Sequence, residues 1–199
     1  MFNYEKRLQY PLNIKIKSPK IAQIVLSQYG GPDGESAAAM RYMSQKFAMK
    51  NPKVAGLIND IAVEELGHLE MVGSIVSQLV KDLPCDDIDL AGFEKYYVDH
   101  TLGVWPQSAG GVPFSATTFQ SCGDPIADLI EDMAAEQKAR KTYDNILTLV
   151  KESDVREPIK FLRAREIVHF QRFGEALRMV TEDMDKKNFY AFNPSSCIK

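Results

Sequence analysis

The chain has 199 residues, 45% of them hydrophobic and 26% charged, and 24 Lys and Arg against 27 Asp and Glu leave a formal net charge of −3. That length supports one domain with a substantial core. The basic residues are scattered and form no run suited to a nucleic acid or a charged membrane surface, so neither is expected as a partner.

In chain order, the opening "MFNYEKRLQYPLNIKIK" has no apolar stretch typical of a signal peptide, and no later apolar run has the length of a membrane span. Synthesis in the cytoplasm without export is the expectation. A first helical stretch is predicted from about Ser18 to Met49. It is open to a bend at "GGPDG" (30–34), where Pro32 lacks a backbone donor. A second begins after "KNP" and reaches about Lys81, a third runs from Asp124 to about Lys151, and a fourth from about Asp154 to Asp183. Short links make each consecutive pair an antiparallel hairpin. A connection from about 82 to 123, rich in Pro, Gly and Asp and weak in periodicity, joins the two hairpins. The expected fold is therefore all-α, a ferritin-like four-helix bundle with one long crossover. It forms a single domain over 1–199, with a non-helical N-terminal segment and a short tail from about 184 to 199. Cys85, Cys122 and Cys197 are odd in number and far apart, which indicates ordinary reduced thiols.

Two stripes break their own rule. The inward face of the second helix reads Val54, Ile58, Ile61, Glu65, His68, Val72, Ile75, Leu79, and that of the fourth reads Ile159, Leu162, Glu166, His169, Phe173, Leu177, Val180. Each places Glu-x-x-His where a core calls for aliphatic residues. The other two helices each offer one inward carboxylate, Glu35 and Glu136, and each lies 30 residues before the Glu of the next helix. Packed together, the hairpins bring four carboxylates and two imidazoles to one level. Burying each carboxylate uncompensated costs several kcal/mol in a fold whose whole stability is of order 10 kcal/mol. Two divalent cations remove the conflict, which is how ferritin-like carboxylate proteins hold metal pairs. Spacing alone makes all six residues ligands. Tyr42, seven residues after Glu35 on the same face, is placed to hydrogen-bond a ligand. Glu64, Glu70, Glu131 and Asp132 fall off the inward stripes and are expected in solvent, as is His100; Trp105, a lone Trp in a loop, is expected to make ordinary packing contacts rather than to cover one end of the bundle.

The segments "YEKRLQYP", "GGPDGE", "VEELGHLEM", "GVWPQSAGGVPFSA", "GDPIADLIEDMAAEQKAR" and "FLRAREIVHF" together resemble the non-haem manganese catalases, in particular their CotJC-type spore-coat branch. The resemblance implies two manganese ions, with Glu35, Glu65 and His68 on one, Glu136 and His169 on the other, and Glu65 bridging. It also implies that Glu166 is a carboxylate beside the metals that carries protons without coordinating, and that Tyr42 supports the site from behind a ligand. The implied activity is disproportionation of hydrogen peroxide. The implied assembly is a homo-oligomer, a hexamer in the family, placed in the spore coat among other coat proteins. Two other readings stay open on the residues: a structural coat protein whose metal site stabilises the bundle, and a di-iron carboxylate oxidase, because carboxylate and imidazole ligands do not by themselves choose manganese over iron.

Overall fold

The computed structural model describes residues 4–5, 7–89 and 93–187. Seven α-helices occur among them: α1 (Pro19–Gly30), α2 (Glu35–Gln45), α3 (Pro52–Val80), α4 (Cys85–Asp89), α5 (Glu94–His100), α6 (Pro125–Leu149) and α7 (Ser153–Lys187). Three of the helices start with one local device. Ser18, Asn51 and Asp124 each accept a backbone N–H of the first turn through the side chain, and each is followed by a proline at the first helical position. Proline there gives up a donor that no helical carbonyl could have reached.

The bundle is built as expected from two hairpins. The first pairs α1 and α2 with α3, the second pairs α6 with α7, and α3 meets α7 across the middle. The expected single first helix is instead two. Gly30 ends α1, a turn covers Gly31–Gly34, and α2 starts afresh at Glu35. Both flanking glycines are needed for close approach: a Cβ on Gly30 would lie 2.2 Å from the backbone nitrogen of Gln107, and one on Gly34 would lie 2.8 Å from the Ser27 carbonyl oxygen. The break matters for the site, since it puts Glu35 in the first turn of a new helix, where the helix dipole favours a carboxylate.

Three further expectations need correction. The crossover, expected as a loop weak in periodicity, contains α4, α5 and a short 3-10 turn at Ala116–Thr118. His100 is only partly exposed: it stacks on Trp105, with ring centroids 5.2 Å apart, and its Nε2 lies 3.2 Å from Gln107 Oε1. Trp105 keeps about half its surface in solvent. The tail expected from about 184 begins later, because α7 continues to Lys187; residues 188–199, and Cys197 with them, lie outside the described residues. Cys85 and Cys122 are free thiols. No helix among the described residues is long and apolar enough to cross a membrane.

The core comes in two parts. One cluster gathers Val25, Leu26, Met71, Val72, Ile75, Leu79, Tyr143, Ile159 and Leu162; the other gathers Tyr42, Val54, Ile58, Ile61, Leu129, Phe173 and Val180. On α3 the gap between them falls at Glu65 and His68, and on α7 at Glu166 and His169. A polar layer divides the hydrophobic interior.

Candidate metal centre

Every residue singled out by the sequence pattern is in that layer. Glu65, His68 and His169 have no exposed surface, Tyr42 none, Glu136 1%, and Glu35 and Glu166 2% each. One ligand-type atom from each of Glu65, His68, Glu166 and His169 lies within 4.8 Å of the others. Glu35 and Glu136 flank this group from α2 and α6: Glu35 Oε2 is 3.8 Å from His68 Nδ1, and Glu136 Oε2 is 3.6 Å from His169 Nδ1. The two imidazoles are roughly parallel, 5.4 Å between centroids.

Both histidines turn the same nitrogen inward. His68 Nδ1 meets Glu65 Oε2 at 2.7 Å, and His169 Nδ1 approaches Glu65 Oε1 at 2.6 Å, so Glu65 sits between the two rings with one oxygen for each. The second contact is short, yet neither atom makes a hydrogen bond. Glu136 Oε2 and Glu166 Oε1 are likewise buried without hydrogen-bond partners. Buried acceptors with unused lone pairs facing one small volume are costly unless something accepts those electrons. A metal pair does so, and the donor set of carboxylate oxygens and imidazole nitrogens suits manganese or iron. The residues fit a dinuclear centre.

The electrostatics lead to the same conclusion. Burial, and then the Glu65 charge, push Glu35 well above the usual carboxyl range; burial, and then Glu136 and Glu35, do so for Glu166. Burial opposes charge on Glu65 too, but His169 and His68 outweigh it and hold this carboxyl below its ordinary value. Burial alone would lower the imidazoles, whereas Glu65 and its neighbours push His68 up to about 9 and His169 up to about 12. The protein groups by themselves can balance this interior only by retaining protons. Two divalent cations balance it directly, and their uptake must release those protons.

The supporting contacts repeat across the two halves. Tyr42 on α2 donates to Glu136 Oε1 on α6 at 2.5 Å, and Tyr143 on α6 donates to Glu35 Oε1 on α2. Each tyrosine follows its own helix's glutamate by seven residues and serves the glutamate of the other helix. Tyr143 had not been singled out as part of the site, although this repeated spacing was visible in the sequence.

Glu64 was missed as well. It was expected in solvent, but it is half-buried behind both imidazoles, 3.6 Å from His68 Nε2 and 3.2 Å from His169 Nε2, and Arg165 grips it from α7 at 2.5 and 3.2 Å. Burial opposes its charge, yet His169, His68 and Arg165 together keep its carboxyl far below the usual range. A carboxylate near the outer nitrogen favours the tautomer and orientation that turn the inner nitrogen to a metal, although neither Nε2 makes a hydrogen bond at these distances. Glu64→Gln is expected to weaken manganese binding about 10- to 100-fold, measured by competition with a chelator. Unchanged affinity would reduce Glu64 to an ion-pair partner of Arg165. Asp132, the other misread acid, is fully buried on α6, and burial pushes its carboxyl well up. Glu70 is exposed as expected and accepts from Tyr4, and Glu131 is partly exposed.

Residues 1–191 match the family described as manganese containing catalase. Protein CotJC of Bacillus subtilis (strain 168) is 45% identical over 190 residues, which span 96% of this chain and all of that protein. A probable manganese catalase of Clostridium acetobutylicum is 32% identical over 191 residues, 95% of this chain and 85% of the relative. Among solved structures, wild-type KatB, a manganese catalase from Anabaena, superposes with a TM-score of 0.83 at 31% identity, covering 91% of this chain and 81% of that one.

Proposed function

The chain belongs to the manganese-containing catalase family, and from that premise we propose how its residues divide the work of disproportionating hydrogen peroxide to water and oxygen at a dinuclear manganese centre. Glu35, Glu65 and His68 would hold one metal and Glu136 and His169 the other, with Glu65 in reach of both. The observation that carries this assignment is the placement of Glu65 between two inward Nδ1 atoms at 2.6 and 2.7 Å.

When bound, the metal pair would supply the two electrons that cleave the O–O bond of one peroxide and take back two from the peroxide that becomes oxygen. The rest falls to the protein. One peroxide gives up two electrons and two protons to become oxygen, and the second takes up the same number to become two waters. No net proton is consumed, but protons must be held inside between the halves. Glu166, buried beside the ligand atoms with Oε1 unbonded, is the proposed holder. Tyr42 and Tyr143 hold Glu136 and Glu35 by hydrogen bonds, while Glu64, gripped by Arg165, stands behind the imidazoles. The apolar clusters above and below the layer keep bulk water out.

Oxygen release from peroxide by purified protein, loaded separately with manganese and with iron, tests the reading. Rapid release by the manganese form is expected, and elemental analysis of protein prepared without added metal should find manganese. Oxygen evolution absent from both forms would favour a structural role for the site. Homo-oligomeric assembly, and a place in a spore coat beside other coat proteins, are further proposals. They rest on family resemblance and the similarity to CotJC, and light scattering of the purified protein checks the first of them.

A further inference from the structure

A narrow cleft runs between α2 and α6 to the polar layer. Asp33 and Ala38 line its partly exposed end, Glu35, Tyr42, Glu136 and Glu166 its buried end, and Arg41, Ala135 and Ala139 also contribute to its walls. The alanines leave the gap open, and it has room for roughly one water-sized molecule. Arg41 is the unexpected member. Its side chain is long and charged, yet it is only 1% exposed. Its Nη2 donates to the Thr118 carbonyl of the crossover at 3.1 Å, but Nε and Nη1 have no hydrogen-bond partner. A buried guanidinium with two idle donors and no carboxylate in ion-pair contact is costly, and a role in binding is what explains keeping it there.

Resting on the function proposed above, we infer that Arg41 is a substrate-binding residue: from the wall of this cleft its free N–H groups hold the oxygens of peroxide on the way to Glu166. Peroxide offers lone pairs on two adjacent oxygens, which suits the forked donors of a guanidinium. So narrow a cleft turns away larger peroxides. Small halides, which accept hydrogen bonds and carry the opposite charge, compete for the same place. Asp132, buried four residues before Glu136 on α6, feels the Arg41 charge, which offsets only part of the upward push of burial on its carboxyl.

The test uses the manganese-loaded protein and bromide as the probe. Crystals soaked in bromide are measured at the bromine edge, which separates the halide from manganese, and peroxide kinetics are measured for wild type, Arg41→Met and Arg41→Lys. Anomalous density beside Arg41 is expected in wild type, weaker in the lysine variant and absent from the methionine variant. The KM for peroxide should rise about tenfold in Arg41→Met, the effect of losing one charge-assisted hydrogen bond, and bromide inhibition should weaken in parallel. Manganese content and kcat report separately on the metal-site reading and should change little. No bromide at Arg41 in wild type overturns the inference even if the methionine variant fails to fold. Bromide bound with unchanged KM overturns it too, leaving Arg41 as a strut for the crossover.

Discussion

His169→Ala is expected to leave the protein folded but without manganese, and oxygen evolution should fall to background with it. The imidazole has no exposed surface, its Nδ1 lies 2.6 Å from Glu65 Oε1 and 3.6 Å from Glu136 Oε2, and its Nε2 is 3.2 Å from Glu64. Removing it deletes the proposed nitrogen ligand of one metal and leaves Glu65 and Glu136 facing a gap. Losing a partner that merely orients a ligand already costs about 10- to 100-fold in affinity. Losing the ligand itself should therefore cost more than about 100-fold. The other half of the site suffers as well, because Glu65 has one oxygen for each ring and the two positions share it. His68→Ala should behave alike for the same reason. Metal per chain by elemental analysis, with circular dichroism to show that the helices persist, decides the matter. Full manganese content in a well-folded His169→Ala protein would end the proposed ligand assignment.

How much of this was readable beforehand follows from which contacts obey helical periodicity. All eight residues of the α3 stripe are buried, because spacing along one helix fixes which side chains share a face. The matching 30-residue separations then set Glu35 and Glu136 at the level of Glu65 and Glu166. What the stripes could not reveal lies on their flanks. Glu64 sits about 100° around the helix from Glu65, a direction that is solvent in an isolated helix and becomes site only because α7 packs there with Arg165. Asp132 is a different case: four residues before Glu136 it lies only about 40° away around α6, so periodicity already put it near the inward face, where it is fully buried. The division of the first helix was legible in composition, since "GGPDG" contains the proline and the glycines. The close approach of Pro106 and Gln107 that makes Gly30 necessary belongs to tertiary structure alone. Stacking of His100 on Trp105 arises in the same way, from a chain that folds back on itself within the crossover.

Glu166→Gln separates holding metal from turning over substrate. The carboxamide matches the carboxyl in size, so it should pack in the same space beside Glu136 and the imidazoles. It cannot, however, gain and lose a proton. If Glu166 keeps protons between the two halves of the reaction, kcat should drop about 100- to 10,000-fold while manganese content stays at the wild-type level. The geometry makes this a demanding test, since Glu166 Oε1 is buried, unbonded and within reach of the same small volume as the three proposed ligand side chains on α3 and α7. A role as a sixth ligand predicts a different pattern: metal and activity would be lost together, as in His169→Ala. Unchanged turnover would place proton storage elsewhere, with Tyr42 and Tyr143 among the other buried acids at the layer. Because burial, Glu136 and Glu35 all push the Glu166 carboxyl upward, whereas metal charge pulls it down, the group is poised between two opposing influences. That balance is what a residue needs if it is to release a proton to one peroxide and recover it from the next.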